Sequence, residues 1–421
     1  MPSQRVTISR NARRLQNKIR GTLQGHLPEL ETITPLLLHV QIRTPFVFAR
    51  WAAQLHSKTY GLLYTTPRLY DTQQEAMYAL LLWALLCALA LTSWASASPA
   101  ALPRQLTYRD SGNYQFNPTS RNLAVYYGKA QNTDSPSLYD LCTNSNVDMI
   151  VMGFVRQLNG PTALPSFGFT RYCKTPATVT DKTRVSCPDM AANITFCQSM
   201  GKKVLISLGG SVSNLTLDSV SDAHEAASIL WNVFGAGANS TALRPFGNVA
   251  IDGFDFDFES GADTTYMDTL ASSLQSYFRS SSPERYISAA PLCANNTVLP
   301  YGLYANTNFV WPRFYNAKAC CFGSKGFNKS VSTWYNYLNS INSDLGPTYP
   351  RVYLGGLSFN NSNSGFMEPD AFVNATFTGR RLVQSKFGGV SLWEGTDGLI
   401  TKNAQGRDFL NVTKAGLLRD I

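Results

Sequence analysis

One short run of the sequence holds four carboxylates whose spacing could support chemistry. The ten residues from Ile251 to Ser260 read IDGFDFDFES, with acids at positions 252, 255, 257 and 259. Alternate side chains of a β-strand point to opposite faces, so Asp255, Asp257 and Glu259 would share one face and the three phenylalanines the other. Successive acids on that face would lie about 6.6 Å apart.

Such a row of acids suits proton transfer better than it suits folding. Neighbouring carboxylates push each other's pKa values apart, and a carboxyl group that stays protonated near neutral pH can serve as a general acid. In a parallel barrel the active site lies at the C-terminal rim, and Glu259 is the last acid of the run. We therefore predict Glu259 as the acid. Asp252 falls off the shared face by parity, and we predict a structural role for it.

Two other interpretations of the run are a calcium loop and a solvated acidic face. A calcium loop needs polar residues between its ligands and a glycine at the sixth place, whereas phenylalanine fills the gaps here. A solvated face would require an exposed edge strand to bury the same phenylalanines. Catalysis is the favoured interpretation, and no metal is expected.

Other catalytic chemistries find little support in the sequence. There are four histidines, His26, His39, His56 and His224, and only the last follows residue 97. A Ser-His-Asp triad could use one histidine, but zinc sites of the HExxH kind need two. We expect His224 to be solvent-facing on a helix. The segment Ser207–Ser211 reads SLGGS and matches neither the P-loop nor the dinucleotide pattern, so no cofactor is expected.

The elements that would position the acids alternate between strand and helix. Amphipathic stretches at 222–234, 264–278, 331–345 and 370–387 separate nearly continuous apolar runs, as expected when both faces of a parallel sheet are covered. This order predicts an α/β protein with a single (β/α)8 TIM barrel over residues 121–421; a doubly wound open sheet is the alternative. The eight predicted strands are 123–127, 148–155, 204–208, 249–258, 286–290, 308–315, 352–357 and 389–393.

The net charge of +9 is concentrated in the first part of the chain. Of the 36 basic and 27 acidic residues, 10 and 4 lie in residues 1–76, so 26 and 23 remain in residues 77–421. The nearly neutral body has no basic stripe that could release counterions from phosphate, and we expect no nucleic-acid partner.

A hydrophobic stretch at residues 77–97 has the layout of a secretory signal peptide. An apolar core is followed by the small residues Ala95-Ser-Ala97, which form an A-x-A cleavage site. A membrane-spanning anchor is the alternative, but the apolar core is shorter than the ~20 residues that a bilayer needs. We predict that the upstream segment 1–76 is not part of the working protein and that residues 98–120 form a loose leader.

Acceptor sites and cysteines also favour export. Asn-x-Ser/Thr sites occur only after the hydrophobic stretch, at Asn193, Asn214, Asn239, Asn295, Asn328, Asn360, Asn374 and Asn411. Seven cysteines follow Cys87 without C-x-x-C spacing, which in an exported chain indicates disulfides. The odd number leaves one thiol, and the adjacent Cys320 and Cys321 suggest that one of them is unpaired.

The carboxylate run resembles glycoside hydrolase family 18, whose motif D-x-x-D-x-D-x-E is matched by Asp252, Asp255, Asp257 and Glu259. The order of other segments resembles the class III chitinases of plants and fungi, across about residues 122–400. These segments are 123–128 (LAVYYG), 204–210 (VLISLGG), 288–293 (SAAPLC), 314–316 (FYN) and 388–393 (GGVSLW). The resemblance implies a barrel enzyme.

The resemblance also implies a retaining mechanism assisted by the substrate's own N-acetyl group. Glu259 would be the acid and later the base, Asp257 would orient the acetamide, and Asp255 would modulate Asp257. Tyr315 would hydrogen-bond the acetamide oxygen, and Trp393 would form the floor of the sugar site. The further substrate-binding residues that we predict are Tyr127, Phe154 and Arg313. The implied disulfides are Cys142–Cys197, Cys173–Cys187 and Cys293–Cys320, which leaves Cys321 unpaired.

Two residues depart from the pattern of the enzymes that the chain resembles. Where those enzymes commonly read WVQFY, residues 311–315 read WPRFY, so Arg313 replaces a neutral amide. Lys129 replaces the usual glutamine of the first strand. We expect both positive charges to border the cleft and to alter its preference among sugar units.

The predicted function is that of a secreted chitinase, monomeric, with chitin or chitin oligosaccharides as its substrate. Two alternatives use the same barrel. One is an endo-β-N-acetylglucosaminidase acting on N-linked glycans. The other is a catalytically silent lectin or inhibitor, and such proteins usually lack one of the four acids that this chain retains.

Overall fold

The computed structural model describes most of the chain after residue 113. The described residues are 114–129, 135–158, 164–168, 173, 186–238, 243–259, 262–294, 299–360 and 365–420. The predicted upstream segment 1–76, signal peptide 77–97 and first part of the leader lie outside them, as do Cys87, Asn239 and Asn295. No helix among the described residues is both long and apolar enough to cross a membrane.

The described strands form a closed parallel barrel, which confirms the predicted fold class. β1 closes it by pairing in parallel with both β2 and the last strand, so that Ala124 lies opposite Met149 on one side and Ser391 on the other. The strands are β1 Asn122–Tyr127, β2 Met149–Gln157, β3 Ser166–Phe167, β4 Lys203–Gly210, β5 Gly253–Phe258, β6 Tyr286–Ala289, β7 Phe309–Val310, β8 Arg351–Leu357 and β9 Phe387–Trp393. Only β3 stands outside the barrel, antiparallel to β2.

The helices surround the barrel, and each of the four predicted amphipathic stretches overlaps one of them, although the helix at 327–339 begins and ends before the predicted 331–345. For example, Ser219 caps the helix Val220–Val233. Its side chain accepts a hydrogen bond from the Asp222 amide at 3.1 Å, which satisfies an otherwise free N–H of the first turn. The helices are α1 Leu138–Thr143, α2 Pro188–Ser199, α3 Val220–Val233, α4 Met267–Arg279, α5 Tyr301–Ala305, α6 Phe327–Asn339, α7 Pro369–Val383, α8 Gly395–Ile400 and α9 Phe409–Leu418.

Two apolar layers hold the barrel together. The larger layer lies between strands and helices and contains all three phenylalanines of the carboxylate run, with Phe254 stacked on Phe278 of α4 at 6.5 Å. The smaller layer fills the barrel interior with aromatic side chains, among them Tyr126, Trp311 and Tyr353. The predicted alternation of β5 is therefore correct: phenylalanine faces the helices and the acids face the interior.

Residues 114–120 were expected to belong to a loose leader, and that expectation is wrong. The Tyr114 hydroxyl donates to Asp148 Oδ1 at 2.6 Å, and the Phe116 ring packs edge-on against Tyr286 at 5.3 Å and Phe309 at 6.1 Å. Phe116 thus adds apolar area to the interior layer next to the first residues of β6 and β7. Burial of that area holds the segment against the barrel.

Candidate active site

The three acids of β5 sit at increasing exposure along the barrel interior. Asp255 is 0% exposed, Asp257 is 4% exposed, and the side chain of Glu259, just after the strand, is 32% exposed. Because β5 is parallel to its neighbours, its end lies at the rim formed by the ends of all barrel strands. Glu259 is therefore the acid of the run that solvent and a ligand can reach.

Asp255 is held by three hydroxyl groups from three different strands. Ser207 of β4 donates to Oδ2 at 2.6 Å, Tyr126 of β1 donates to Oδ2 at 2.8 Å, and Ser288 of β6 donates to Oδ1 at 2.7 Å. Burial raises the pKa of Asp255 above its ordinary value, and these hydrogen bonds oppose the rise. Both oxygens of Asp255 are thus occupied by protein donors, and its side chain is fixed.

The tyrosine of β1 that reaches the acids is Tyr126. Its hydroxyl also accepts a hydrogen bond from Trp311 Nε1 at 2.8 Å, so it links the interior aromatic layer to Asp255. The predicted substrate-binding residue Tyr127 lies on the opposite face of β1, 3% exposed in the layer between barrel and helices. The prediction for Tyr127 is wrong, because neighbouring residues of a strand point to opposite faces.

Asp257 and Glu259 share a single cation. Nη1 of Arg313 lies 3.0 Å from Asp257 Oδ1 and 3.1 Å from Glu259 Oε1, and the Arg313 side chain is 6% exposed. Burial raises the pKa of Asp257 to about 7, with Arg313 acting against the rise and Glu259 and Asp255 adding to it. The predicted binding residue Arg313 is therefore a buried partner of both acids, not a cation at the mouth of the cleft.

Buried polar atoms in this cluster keep hydrogen-bonding capacity. Asp257 Oδ1 is near Arg313 but outside hydrogen-bond geometry, and among the described residues neither it nor Arg313 Nε has a hydrogen-bond partner. Buried polar groups in folded proteins are usually satisfied, so such atoms point to a ligand. Tyr315 is 6% exposed nearby, and burial together with Asp257 and Glu259 raises the pKa of its hydroxyl, which stays protonated.

Three aromatic rings form one wall beside the acids. Trp393, at the end of β9, lies 5.7 Å from the ring of Tyr126 and 5.8 Å from that of Phe154. Phe154 in turn packs against Tyr126 at 6.2 Å. The structure thus brings the predicted residues Phe154 and Trp393 together, and Trp393 remains partly exposed beside the fully buried rings of the interior.

The position of Trp393 depends on a network that sequence reasoning missed. The backbone amide of Ser358 donates to the Trp393 carbonyl at 2.9 Å, and the Ser358 hydroxyl bonds to the amide and carbonyl of Glu394. The buried Glu394 carboxylate accepts from the amides of Thr396 at 2.8 Å and Asp397 at 3.2 Å, which caps α8. Trp393 is therefore held between a neighbouring strand and a helix start.

Asp252 lies at the opposite end of β5 from Glu259. Its Oδ2 accepts from the Val204 amide at 3.0 Å and from Gln198 Nε2 at 2.9 Å, and its Oδ1 pairs with Lys203 at 3.2 Å. These contacts join β5, β4 and α2. They fit the structural role predicted for Asp252 from its position off the face that the other three acids share.

Lys129 does not contribute a free positive charge to the cleft. Its ammonium lies 2.8 Å from Asp397 Oδ2 and 3.9 Å from the centre of the Phe359 ring, so its charge is paired with that carboxylate. His224 is exposed on α3, with Nδ1 2.8 Å from the Ser273 hydroxyl. Neither residue touches the acids.

The structure contains the three disulfides implied by the resemblance. Cys142 bonds to Cys197, Cys173 to Cys187 and Cys293 to Cys320, and Cys321 is a buried free thiol. The Cys293–Cys320 bond joins the residues that follow β6 to those that follow Tyr315. It thus links two segments that flank Arg313.

Comparisons with protein families and with known proteins find clear relatives of the chain. The family model of "Glycosyl hydrolases family 18" matches residues 122–345. "Chitinase 3" of Candida albicans is 32% identical over 302 residues, which is 70% of this chain and 51% of that protein. "Acidic endochitinase SE2" of Beta vulgaris is 33% identical over 281 residues, 64% of this chain and 85% of that protein. The chain thus spans about half the length of the Candida relative.

Solved structures with the same fold include both an enzyme and an inhibitor. The ICChI chitinase of Ipomoea carnea is 29% identical, with a TM-score of 0.57, over 70% of this chain and 99% of that one. The xylanase and alpha-amylase inhibitor protein XAIP-II of Scadoxus multiflorus is 26% identical, also with a TM-score of 0.57, over 70% of this chain and 98% of that one.

Proposed function

Because the chain belongs to glycosyl hydrolase family 18, we propose that it is a chitinase that cleaves β-1,4 bonds between N-acetylglucosamine units with retention of configuration. The observation that carries this proposal is the pair formed by Asp257 and Glu259. Within the part of the chain that the structure describes, the buried Asp257 Oδ1 is ion-paired with Arg313 but has no hydrogen-bond partner, and it stands next to the partly exposed Glu259 at the rim. Asp257 can accept a hydrogen bond from the acetamide N–H while Glu259 reaches the glycosidic oxygen.

In the proposed first step Glu259 protonates the glycosidic oxygen, and the bond from that oxygen to the anomeric carbon breaks. The carbonyl oxygen of the substrate's acetamide attacks the anomeric carbon and forms a cyclic oxazolinium ion. Asp257 accepts the acetamide N–H and stabilises the positive charge that develops there. Asp255 is held by hydrogen bonds from three hydroxyl groups and modulates Asp257.

In the second step the ionised Glu259 takes a proton from water. The resulting hydroxide adds to the anomeric carbon, the ring of the intermediate reopens, and the acetamide is restored. Two successive attacks from opposite faces give retention. The Tyr315 hydroxyl would donate to the acetamide oxygen, and Trp393 with Phe154 would pack against the sugar face.

The test compares the full chain with Glu259→Gln on chitin oligomers, following product size and anomer. Loss of general acid catalysis should lower kcat by at least about 100-fold. Glu225→Gln removes an exposed carboxylate from α3 and should leave kcat unchanged. A wild type that releases nothing, or a Glu259→Gln enzyme within a few-fold of wild type, would show that the assignment is wrong. An inverted product would overturn the mechanism alone.

The second candidate function is that of a catalytically silent lectin or inhibitor with the same barrel, and the likeness to an inhibitor protein supports it. Such a protein would bind chitin oligomers without cleaving them, so binding is measured in the same samples. A glycoprotein assayed beside chitin distinguishes an endo-β-N-acetylglucosaminidase acting on N-linked glycans. Cleavage of the glycoprotein but not of chitin would favour that enzyme.

We also propose that the protein is exported. Support comes from the three disulfides and from the acceptor sites that follow the hydrophobic stretch. N-terminal sequencing of secreted material should begin after residue 97, and sequence from residues 1–76 would contradict the proposal.

A further inference from the structure

Arg313 occupies a rigid place inside the barrel. The alternation from Trp311 turns its side chain inward, its amide donates to the Pro291 carbonyl at 2.7 Å, and its carbonyl accepts from the Cys293 amide at 3.2 Å. On the other side, Gly355 is so close that a Cβ there would lie 3.2 Å from Arg313 Cα. The backbone of Arg313 is therefore fixed from both neighbouring segments.

The guanidinium is set against a concentrated negative charge. Within the described residues, the strongest electrostatic partners of Arg313 are Asp257, Glu259 and the hydroxyls of Tyr315 and Tyr126. Arg313 also acts on Asp255, where its effect ranks below burial and the three hydroxyl hydrogen bonds, and Asp255 in turn acts on Asp257. Both tyrosines have raised pKa values and stay neutral. Asp255 is already hydrogen-bonded to hydroxyl groups. The guanidinium of Arg313 therefore interacts electrostatically chiefly with the carboxylates of Asp257 and Glu259.

This pairing opposes a requirement of the proposed reaction. A guanidinium remains protonated throughout the useful pH range, and it favours the ionised form of a carboxyl group beside it. Glu259, however, must carry a proton when the substrate is cleaved. An amide at position 313, as in the enzymes that the chain resembles, would hydrogen-bond the acids without favouring their ionised forms to the same degree.

We propose that Arg313 is a positioning residue that holds the carboxyl groups of Asp257 and Glu259 together on one guanidinium, favours their ionised forms against the effect of burial, and thereby moves the working range of the enzyme to lower pH. The inference rests on the proposed function for its kinetic part. The electrostatic part, which is the stabilisation of two ionised carboxylates by one buried cation, does not depend on turnover.

The kinetic test measures kcat/KM against pH for the wild type, Arg313→Gln and Arg313→Lys. In Arg313→Gln the alkaline limb should move up by about one pH unit, at the low end of the effect that a close opposite charge has on a carboxyl group. Arg313→Lys keeps the charge and should keep the limb near that of wild type. A merely structural role would lower kcat by the same factor at every pH and leave the limb in place.

Lys129→Gln is the matched charge control. Lys129 is the second residue that differs from the pattern of the enzymes that the chain resembles, and the substitution removes its positive charge. That charge pairs with Asp397 instead of the catalytic acids. The alkaline limb of Lys129→Gln should coincide with that of wild type. A limb that stays in place in Arg313→Gln, or that moves equally in Lys129→Gln, would overturn the proposal.

A second readout does not need activity. The free energy of unfolding of Arg313→Gln should fall further below that of wild type as the pH rises from about 5 to about 9, because the lost cation stabilised the ionised acids. If the wild type cleaves nothing but this gap widens, the proposed function fails and the pairing by Arg313 stands. A gap that does not change with pH would refute the role of Arg313 whatever the activity.

Discussion

Tyr126→Phe removes one oxygen atom from the point where the aromatic interior meets the acids of β5. The hydroxyl donates to Asp255 and accepts from Trp311 Nε1, each at 2.8 Å, and Tyr126 is 2% exposed. Phenylalanine preserves the ring and its packing. The effect of the substitution therefore reports on the two hydrogen bonds.

The two bonds have separable costs. Leaving the buried indole N–H of Trp311 without an acceptor costs about 1–3 kcal/mol, and the lost hydrogen bond to a charged acceptor, Asp255, costs about 1.5–3 kcal/mol. We expect Tyr126→Phe to lower the free energy of unfolding by about 3 kcal/mol or more. Ser207→Ala removes a donor to Asp255 without leaving another donor unpaired, so it should cost about 2 kcal/mol.

Urea unfolding of both variants at several pH values provides the assay. Losing a donor raises the folded-state pKa of Asp255 in the variant above that in the wild type, so the stability deficit relative to wild type should grow as the pH rises from the folded-state pKa of the wild type to that of the variant. The kcat of Tyr126→Phe should also fall, because Asp255 supports Asp257. If Tyr126→Phe costs no more than Ser207→Ala, the reasoning about the Trp311 N–H is wrong.

Two further predictions concern residues away from the acids. Asp252→Ala should lower the free energy of unfolding by about 1–3 kcal/mol, because the buried Val204 amide loses its acceptor, while kcat of the folded enzyme stays at the wild-type value; urea unfolding and kinetics check both. Removing the Cys293–Cys320 bond by replacing both residues with alanine should cost about 3.5 kcal/mol for a loop of this length, whereas Cys321→Ala should cost much less. A larger loss in Cys321→Ala would mean that Cys321, not Cys320, forms the bond.

The barrel could be predicted because each of its eight strands is a separate apolar run. The ends of two strands differ from the prediction. β5 begins at Gly253 instead of residue 249, and β7 contains only Phe309 and Val310 of the predicted 308–315. Pro312 explains the short β7, because it has no N–H to continue the ladder. The short β3 was missed, since two residues carry no periodicity.

The clustering of Asp255, Asp257 and Glu259 on the interior face could also be predicted, but the partners of these acids were harder to find. Ser207 and Ser288 are small polar residues inside apolar strands, and such buried polar residues are a usable signal in retrospect. Tyr126 and Tyr127 are adjacent and of the same type, so composition does not distinguish them. Parity within β1 does, once the interior face is known.

The sequence by itself determined which acids share one face of the strand and which acid stands apart from them. Strand alternation is local, so the shared face of Asp255, Asp257 and Glu259 and the separate place of Asp252 follow from spacing along one strand. Only the tertiary structure decided which charge faces those acids. Arg313 and Glu259 are 54 positions apart in the sequence, and closure of the barrel brings Arg313 within 3.1 Å of Glu259 while Lys129 is paired elsewhere. Contacts between distant strands depend on how the whole sheet closes, which no local pattern contains.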